Sequence, residues 1–212
     1  MSGQQHNQTD LWPSAKEREN VRQKKREALL FAAVTMFNEH GFAATSIEDV
    51  AASLHVTKPV IYRYLGSKDQ VLLECVKRGM AQVQDAIQSA RLTPGTGLDR
   101  LTLFLRCYAE ISTYGFGRCV HRTSEHELSE ESRVQFRDLK REIDQAMRQM
   151  IEDGVADGSI YAPDVRLTAF ALAGSLNWIP RWYNADGTLT AAEVATGIVD
   201  TLIVGLKPRV SQ

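Results

Sequence analysis

Lys58, Tyr62 and Arg63 place three hydrogen-bond donors within six residues, in a segment that opens on Thr57 and Pro59. Donors of this kind on a compact, close-approaching edge suit the base edges and phosphates of a DNA groove. Helix starts are expected at Ser46, Thr57 and Ser67, and helix N-termini point free N–H groups at anions. Lys68 follows the third of them and is placed to add a phosphate contact. From Lys16 to Arg26 six basic residues stand against Glu17 and Glu19, a local excess of +4. A solvated helix face accounts for such a run as well as a DNA backbone does.

Other residues invite rival chemistry. Cys119-x-His121 lies near Glu125, His126 and Glu127, but the spacing matches no compact zinc pattern, and a polar loop with incidental histidines is the simpler reading. Cys107 and Cys119 could pair in an oxidant sensor, although nothing nearby marks a lowered thiol pKa. The chain contains no Gly-x-Ser-x-Gly, Walker A or dinucleotide-binding glycine motif. Scattered acids such as Glu110, Glu125 and Glu142 define no acid–base pair. Neither catalysis nor a metal or cofactor is expected.

The elements that must position these residues read as helices throughout. Ala28, Leu29, Ala32, Ala33, Met36 and Phe37 recur at helical spacing from about Glu19, and Gly41 stops the run. Thr45…Glu48 and Ser46…Asp49 both fit a capping box ahead of the stripe Ile47, Val50, Ala51 and Leu54. A tight turn at Leu54-His55-Val56 leads to a short helix capped by Thr57, with Pro59 in its first turn. Two short helices joined this way form a helix-turn-helix, whose second member enters the major groove. Gly66 breaks it, Ser67…Gln70 caps a longer helix towards Ala90, and residues 93–97 form a loop. Helices then run from Leu98 to about Tyr114, Glu130 to about Asp153, Asp164 towards Trp182 and Thr190 to Leu206, with a broken region at Gly115-Phe116-Gly117. No segment sustains strand alternation, so the fold class expected is all-α.

The chain has 212 residues, 43% hydrophobic and 24% charged, the composition of a folded protein. Its longest mostly apolar stretch, Ala169 to Pro180, is too short to span a bilayer, and the N-terminus lacks an apolar signal region. Three cysteines cannot complete a disulfide framework, so a cytoplasmic location without membrane contact is expected. The net charge of -1 argues at first against a nucleic-acid partner. It averages two unequal parts: the first 70 residues carry 9 Lys+Arg and 8 Asp+Glu, the remainder 16 and 18.

Glu39-His40-Gly41-Phe42-Ala43-Ala44-Thr45-Ser46-Ile47-Glu48-Asp49-Val50-Ala51, followed by Val56-Thr57-Lys58-Pro59-Val60-Ile61-Tyr62-Arg63-Tyr64-Leu65-Gly66-Ser67-Lys68-Asp69, resembles the DNA-binding domain of TetR-family regulators. The match runs from about Arg22 to Leu73. The resemblance implies a three-helix DNA-binding domain followed by a helical domain that binds a ligand and dimerises. Carried over by position, it implies that Thr45 and Ser46 contact phosphate, that Thr57, Lys58, Pro59 and Tyr62 face the groove with Arg63 beside them, that Tyr64 sits at the phosphate edge, and that Lys68 anchors the fourth helix. The domains expected are a tail at 1–18, a helix-turn-helix domain at 19–66 and a ligand-binding and dimerisation domain at 67–212.

In the last helix Gly197, Thr201 and Gly205 form a small-residue ridge, and Ala169, Ala173 and Asn177 form another on the preceding helix. Both suit close helix approach in a four-helix homodimer interface. A twofold dimer demands a near-palindromic double-stranded operator with half-sites one helical turn apart. The Arg181-Trp182-Tyr183…Gly187 segment resembles that of a TetR subgroup responding to acyl-CoA thioesters, although only Arg166 and Arg181 flank Ala169 to Trp178 with positive charge. Phe104, Cys107, Tyr108, Ile111, Met147, Phe170 and Trp178 are the candidate ligand contacts. The reading is a homodimeric repressor released from DNA by a small apolar effector, with an acyl-CoA among the candidates. A redox- or metal-sensing regulator and a ligand-free DNA-binding protein are the alternatives.

Overall fold

The computed structural model describes residues 14–207, and its elements there are ten α-helices and one short 3-10 turn. The expected tail residues Leu11, Trp12 and Pro13 lie outside the described residues. Helix α1 spans Ala15–His40 and starts earlier than its apolar stripe suggests. The reason is a capping box: the Ser14 side chain accepts from Glu17 N, and the Ser14 N–H donates to Glu17 Oε2 at 2.6 Å. The helix therefore includes residues 15–18, which the sequence pattern assigns to a tail. Its apolar side, Leu29, Leu30, Ala33, Val34 and Phe37, is buried, and Gly41 ends it at φ 86°.

Helices α2 (Ile47–Ser53) and α3 (Lys58–Leu65) pack on α1 through Ile47, Val50, Ala51, Ile61 and Leu65. Between them His55 adopts φ 54°, a left-handed conformation that closes the turn. The long helix α4 (Lys68–Leu92) follows and touches α1 at one end and the rest of the molecule along its length. Arg26–Glu74 and Arg78–Glu27 ion pairs tie α1 to α4. Arg26 is thus committed within the protein, although it belongs to the basic run.

The remaining helices are α5 (Gly97–Ile111), α6 (Gly115–Arg122), α7 (Glu130–Ala156), α8 (Val165–Asn177), α9 (Ile179–Trp182) and α10 (Ala191–Val204). Where the sequence pattern suggests a break and a polar loop, α6 forms instead. Its two glycines lie in the first turn, and Gly117 is required by proximity: a Cβ there would sit 2.1 Å from the Ile111 carbonyl. Gly79 on α4 likewise faces the Phe116 carbonyl, 2.4 Å from where a Cβ would be, so α4 and α6 cross backbone to backbone. The helix expected from Asp164 to Trp182 ends at Asn177, and Pro180 sits in the first turn of the separate α9.

The small-residue ridge on α8 is exposed only at Asn177. Ala169 is buried and Ala173 half-buried, because Ala169, Leu172 and Leu176 form the inward stripe. The outward stripe is Leu167, Ala171, Gly174 and Trp178. On α10 the ridge Gly197, Thr201 and Gly205 is exposed, with Val204 70% exposed beside it, while Val194, Ala195, Val199 and Ile203 are buried. No helix of the described residues is long and apolar enough to cross a membrane.

Candidate functional site

Two regions gather the candidate residues. On the first, α2 is set by Ser46, whose Oγ accepts from Asp49 N at 3.0 Å and donates to Asp49 Oδ2 at 2.6 Å. The bonds that the Asp49 carboxylate accepts from Ser46 Oγ and Ser46 N hold its pKa below the ordinary range. Ser46, not Thr45, is therefore the cap. Thr45 is 2% exposed, and its hydroxyl bonds the carbonyls of Gly41 and Met36 at 2.9 and 3.2 Å. The phosphate contact expected of the Thr45 side chain has no open path, and the residue instead fixes the bend between α1 and α2.

Along α3, Thr57, Lys58, Pro59, Tyr62 and Arg63 are all exposed, whereas Ile61 and Leu65 are buried. Thr57 occupies the N-cap position but makes no side-chain capping bond, so its hydroxyl is not spent on its own helix. The Lys58 ammonium lies 5.7 Å from the Tyr62 ring centroid and bonds the Glu48 carboxylate of α2. That pairing raises the Lys58 pKa and lowers that of Glu48. Binding an anion through Lys58 thus means exchanging Glu48 for it. Lys68 is half-buried, with its ammonium 4.3 Å from the Phe42 ring centroid. Arg63 and the half-buried Tyr64 share a surface cleft of about 430 Å³ with Arg18, Val21 and Arg22 of α1. The first helix thereby brings part of its basic run beside the end of α3, a juxtaposition that sequence spacing alone does not show.

The second region is a cavity of about 430 Å³ among α4, α6, α7 and α8. Its apolar wall includes Met80, Val83, Val120, Phe136, Met147 and Phe170, and polar tips come from Tyr108, His121, Thr123 and Asn177. Lys140, Arg141 and Asp144 stand on the same wall, where Lys140 faces Glu125 at 3.6 Å, Arg141 pairs with Asp138 at 2.8 Å and Asp144 with Arg148 at 2.6 Å. Phe170 is flanked by the guanidinium groups of Arg148 and Arg166, 5.4 and 5.5 Å from its ring.

Of the candidate ligand residues, Tyr108, Met147 and Phe170 line this cavity, while Phe104, Cys107, Ile111 and Trp178 do not. Phe104 is fully buried core, its ring 5.7 Å from that of Tyr108. Cys107 and Ile111 are half-buried against the core, and Trp178 is 61% exposed beneath the Arg181 guanidinium. Sequence reasoning misses His121, Phe136, Met80 and Val83 as lining residues. His121 escapes it because the sequence of its helix resembles a loop; the others are apolar positions whose periodicity marks burial without distinguishing core from cavity.

The buried chemistry also bears on the rival readings. Burial pushes the Cys119 thiol up to about 12 and raises Cys107 as well, which suppresses the reactive thiolate in both. Among the described residues no group of three His, Cys, Asp or Glu side chains could hold a metal.

Comparison with known proteins gives these two regions a context. Residues 29–75 match the family model for bacterial regulatory proteins of the tetR family, and residues 94–206, over half the chain, match that for the tetracyclin repressor-like C-terminal domain. The chain is 25% identical over 186 residues to the HTH-type transcriptional repressor KstR2 of Mycolicibacterium smegmatis, covering 86% of this chain and 90% of that one. It superposes with a TM-score of 0.76 on the TetR-family regulator PfmR of Thermus thermophilus, at 28% identity over 85% of this chain and 99% of that one. It shares its fold with AibR, solved in complex with isovaleryl coenzyme A and operator DNA, at a TM-score of 0.75 and 23% identity over 84% of this chain and 97% of that one. With both the helix-turn-helix segment and the helical domain matched, the chain belongs to the TetR family of DNA-binding transcriptional regulators and is not an enzyme.

Proposed function

We propose that the protein is a ligand-responsive homodimeric repressor that reads a near-palindromic operator with α3 and leaves it when a small, largely apolar effector fills the cavity. The observation that carries this reading is the shared use of α4. Its first turn holds Lys68 beside the DNA-facing helices, and Met80 and Val83, three to four turns further along, form part of the cavity wall. At about 1.5 Å per residue the two ends are roughly 20 Å apart on one rigid element. An effector that favours a different setting of α4 therefore favours a different spacing of two α3 helices. The repressor sense follows the name of KstR2, and a protein acting on bacterial operators works in the cytoplasm.

Dimerisation is supported by the exposed stripes of α8 and α10, with Leu167, Trp178 and Val204 beside Gly197, Thr201 and Gly205. A second copy covering them would bury apolar surface and bring backbones close. On the DNA side, Ser46, Thr57, Lys58, Pro59, Tyr62, Arg63, Tyr64 and Lys68 are the contacts proposed. An acyl-CoA thioester is a second reading of the effector. AibR's bound isovaleryl coenzyme A favours it, whereas the pairing of Lys140 and Arg141 with acids of this chain limits the charge left for its phosphates.

Selection of bound genomic fragments by the full-length protein supplies the operator. Lys58→Ala and Tyr62→Ala are then each expected to weaken specific binding about 5- to 150-fold, while sedimentation shows an intact dimer. Affinity should fall steeply with salt through counterion release. Unchanged affinity in both variants refutes the recognition-helix assignment. Titration of the operator complex with isovaleryl coenzyme A and with uncharged apolar compounds separates the two effector readings.

A further inference from the structure

One wall of the cavity carries a hydrogen-bond relay whose proton positions follow from its geometry. The Ser112 hydroxyl is buried and donates to the Tyr108 carbonyl one turn earlier in α5, at 2.7 Å. Its single proton is spent there. The 2.8 Å contact between Ser112 Oγ and His121 Nε2 must then be donated by the histidine. His121 is held as the Nε2–H tautomer, and Nδ1 keeps its lone pair. No hydrogen bond among the described residues uses that lone pair. The ring stands edge-on to Tyr108 at 5.4 Å, deep in the fold, yet it is only half-buried and lines the cavity. Burial also pushes its pKa down to about 4, so it is uncharged at neutral pH. The Tyr108 hydroxyl is occupied in turn, donating to Asn177 Oδ1 at 2.7 Å.

We infer that this relay reads the effector, with His121 Nδ1 accepting a hydrogen bond from a hydroxyl at one end of an otherwise apolar molecule. The inference rests on the reading of the cavity as the effector site and adds the chemical class of its occupant: an uncharged alcohol or phenol rather than an ether, hydrocarbon or carboxylate. At His121 Nδ1 a carboxylate would present lone pairs to a lone pair, and that nitrogen has no proton to replace the carboxylate's lost hydration. A hydroxylated molecule supplies the one group missing from the wall.

The test uses the full-length protein and two isomeric probes, octan-1-ol and 1-methoxyheptane, which differ in having or lacking a hydroxyl proton. Calorimetric titration is expected to show the alcohol bound about three- to tenfold more tightly by the wild type, the worth of one neutral hydrogen bond. His121→Leu should abolish the preference, weakening the alcohol more than the ether. Ser112→Ala, which only deletes an oxygen, releases the tautomer and should weaken the preference with the histidine in place. Equal binding of the two isomers by the wild type overturns the relay and leaves the cavity reading standing. A preference that survives both substitutions overturns it as well. Failure of the wild type to bind either isomer overturns the cavity reading together with the relay.

Discussion

Replacing Asp69 with alanine tests how the DNA-proximal turn of α4 is tied to the cavity-bearing helix α7. The Asp69 carboxylate accepts from Ser129 N at 2.7 Å, Ser129 Oγ at 3.0 Å and Ser132 Oγ at 2.8 Å. Ser129 caps α7 and is exposed, so water replaces the carboxylate there at little cost. Ser132 is 4% exposed and loses its partner without a substitute, which costs about 1–3 kcal/mol. Removing a negative charge from the start of α7 adds about 0.3–1 kcal/mol. The expected loss is about 2–3 kcal/mol, or about 4–12 °C in Tm for a chain of this size. Asp69→Asn keeps one acceptor and should lose about half as much. Thermal melts at one fixed protein concentration provide the assay, because dimerisation makes Tm concentration-dependent. An Asp69→Ala protein melting within about 2 °C of the wild type, or no lower than Asp69→Asn, refutes the reasoning.

Three further outcomes follow from the buried groups. His121 has its pKa lowered from 6.5 to about 4, so the unfolded chain binds its proton first and stability falls as pH drops through that window. The contribution is about 2–3 kcal/mol between roughly pH 7 and pH 4, and urea titrations should show it missing from His121→Asn. Native Cys107 and Cys119 should resist iodoacetamide at about pH 8 and form no mutual disulfide under mild peroxide; a linked peptide in mass spectra would revive the oxidant-sensor reading. Gly79→Ala drives a Cβ against the Phe116 carbonyl and should cost about 1–3 kcal/mol by urea unfolding, and an unchanged midpoint would show that α4 and α6 can part freely.

The DNA-facing end is legible in the sequence because its signals are local. Capping pairs such as Ser46…Asp49 and Ser67…Gln70, the Pro59 start and the Gly41 stop act over three or four residues, and the structure contains each of them. On α10 and its C-cap the small residues Gly197, Thr201 and Gly205 lie exposed. Local rules also mislead. Gly115-Phe116-Gly117 reads as a breaker by propensity, and only the α4–α6 and α5–α6 contacts reveal that glycine is there for close approach.

The local motifs, through their resemblance to a known DNA-binding domain, determined the class of protein, a helical DNA-binding regulator, which the net charge of -1 by itself argued against. Which side chains face the cavity was decided only by tertiary packing. Phe104 and Tyr108 lie one helical turn apart on α5, yet one is sealed in the core and the other reaches the cavity. The difference depends on what α6 and α8 place opposite them. The tautomer of His121 depends likewise on a serine nine residues away whose proton is already committed. Periodicity sets which face of a helix turns inward; whether the space it meets is filled or open is a property of all the helices at once.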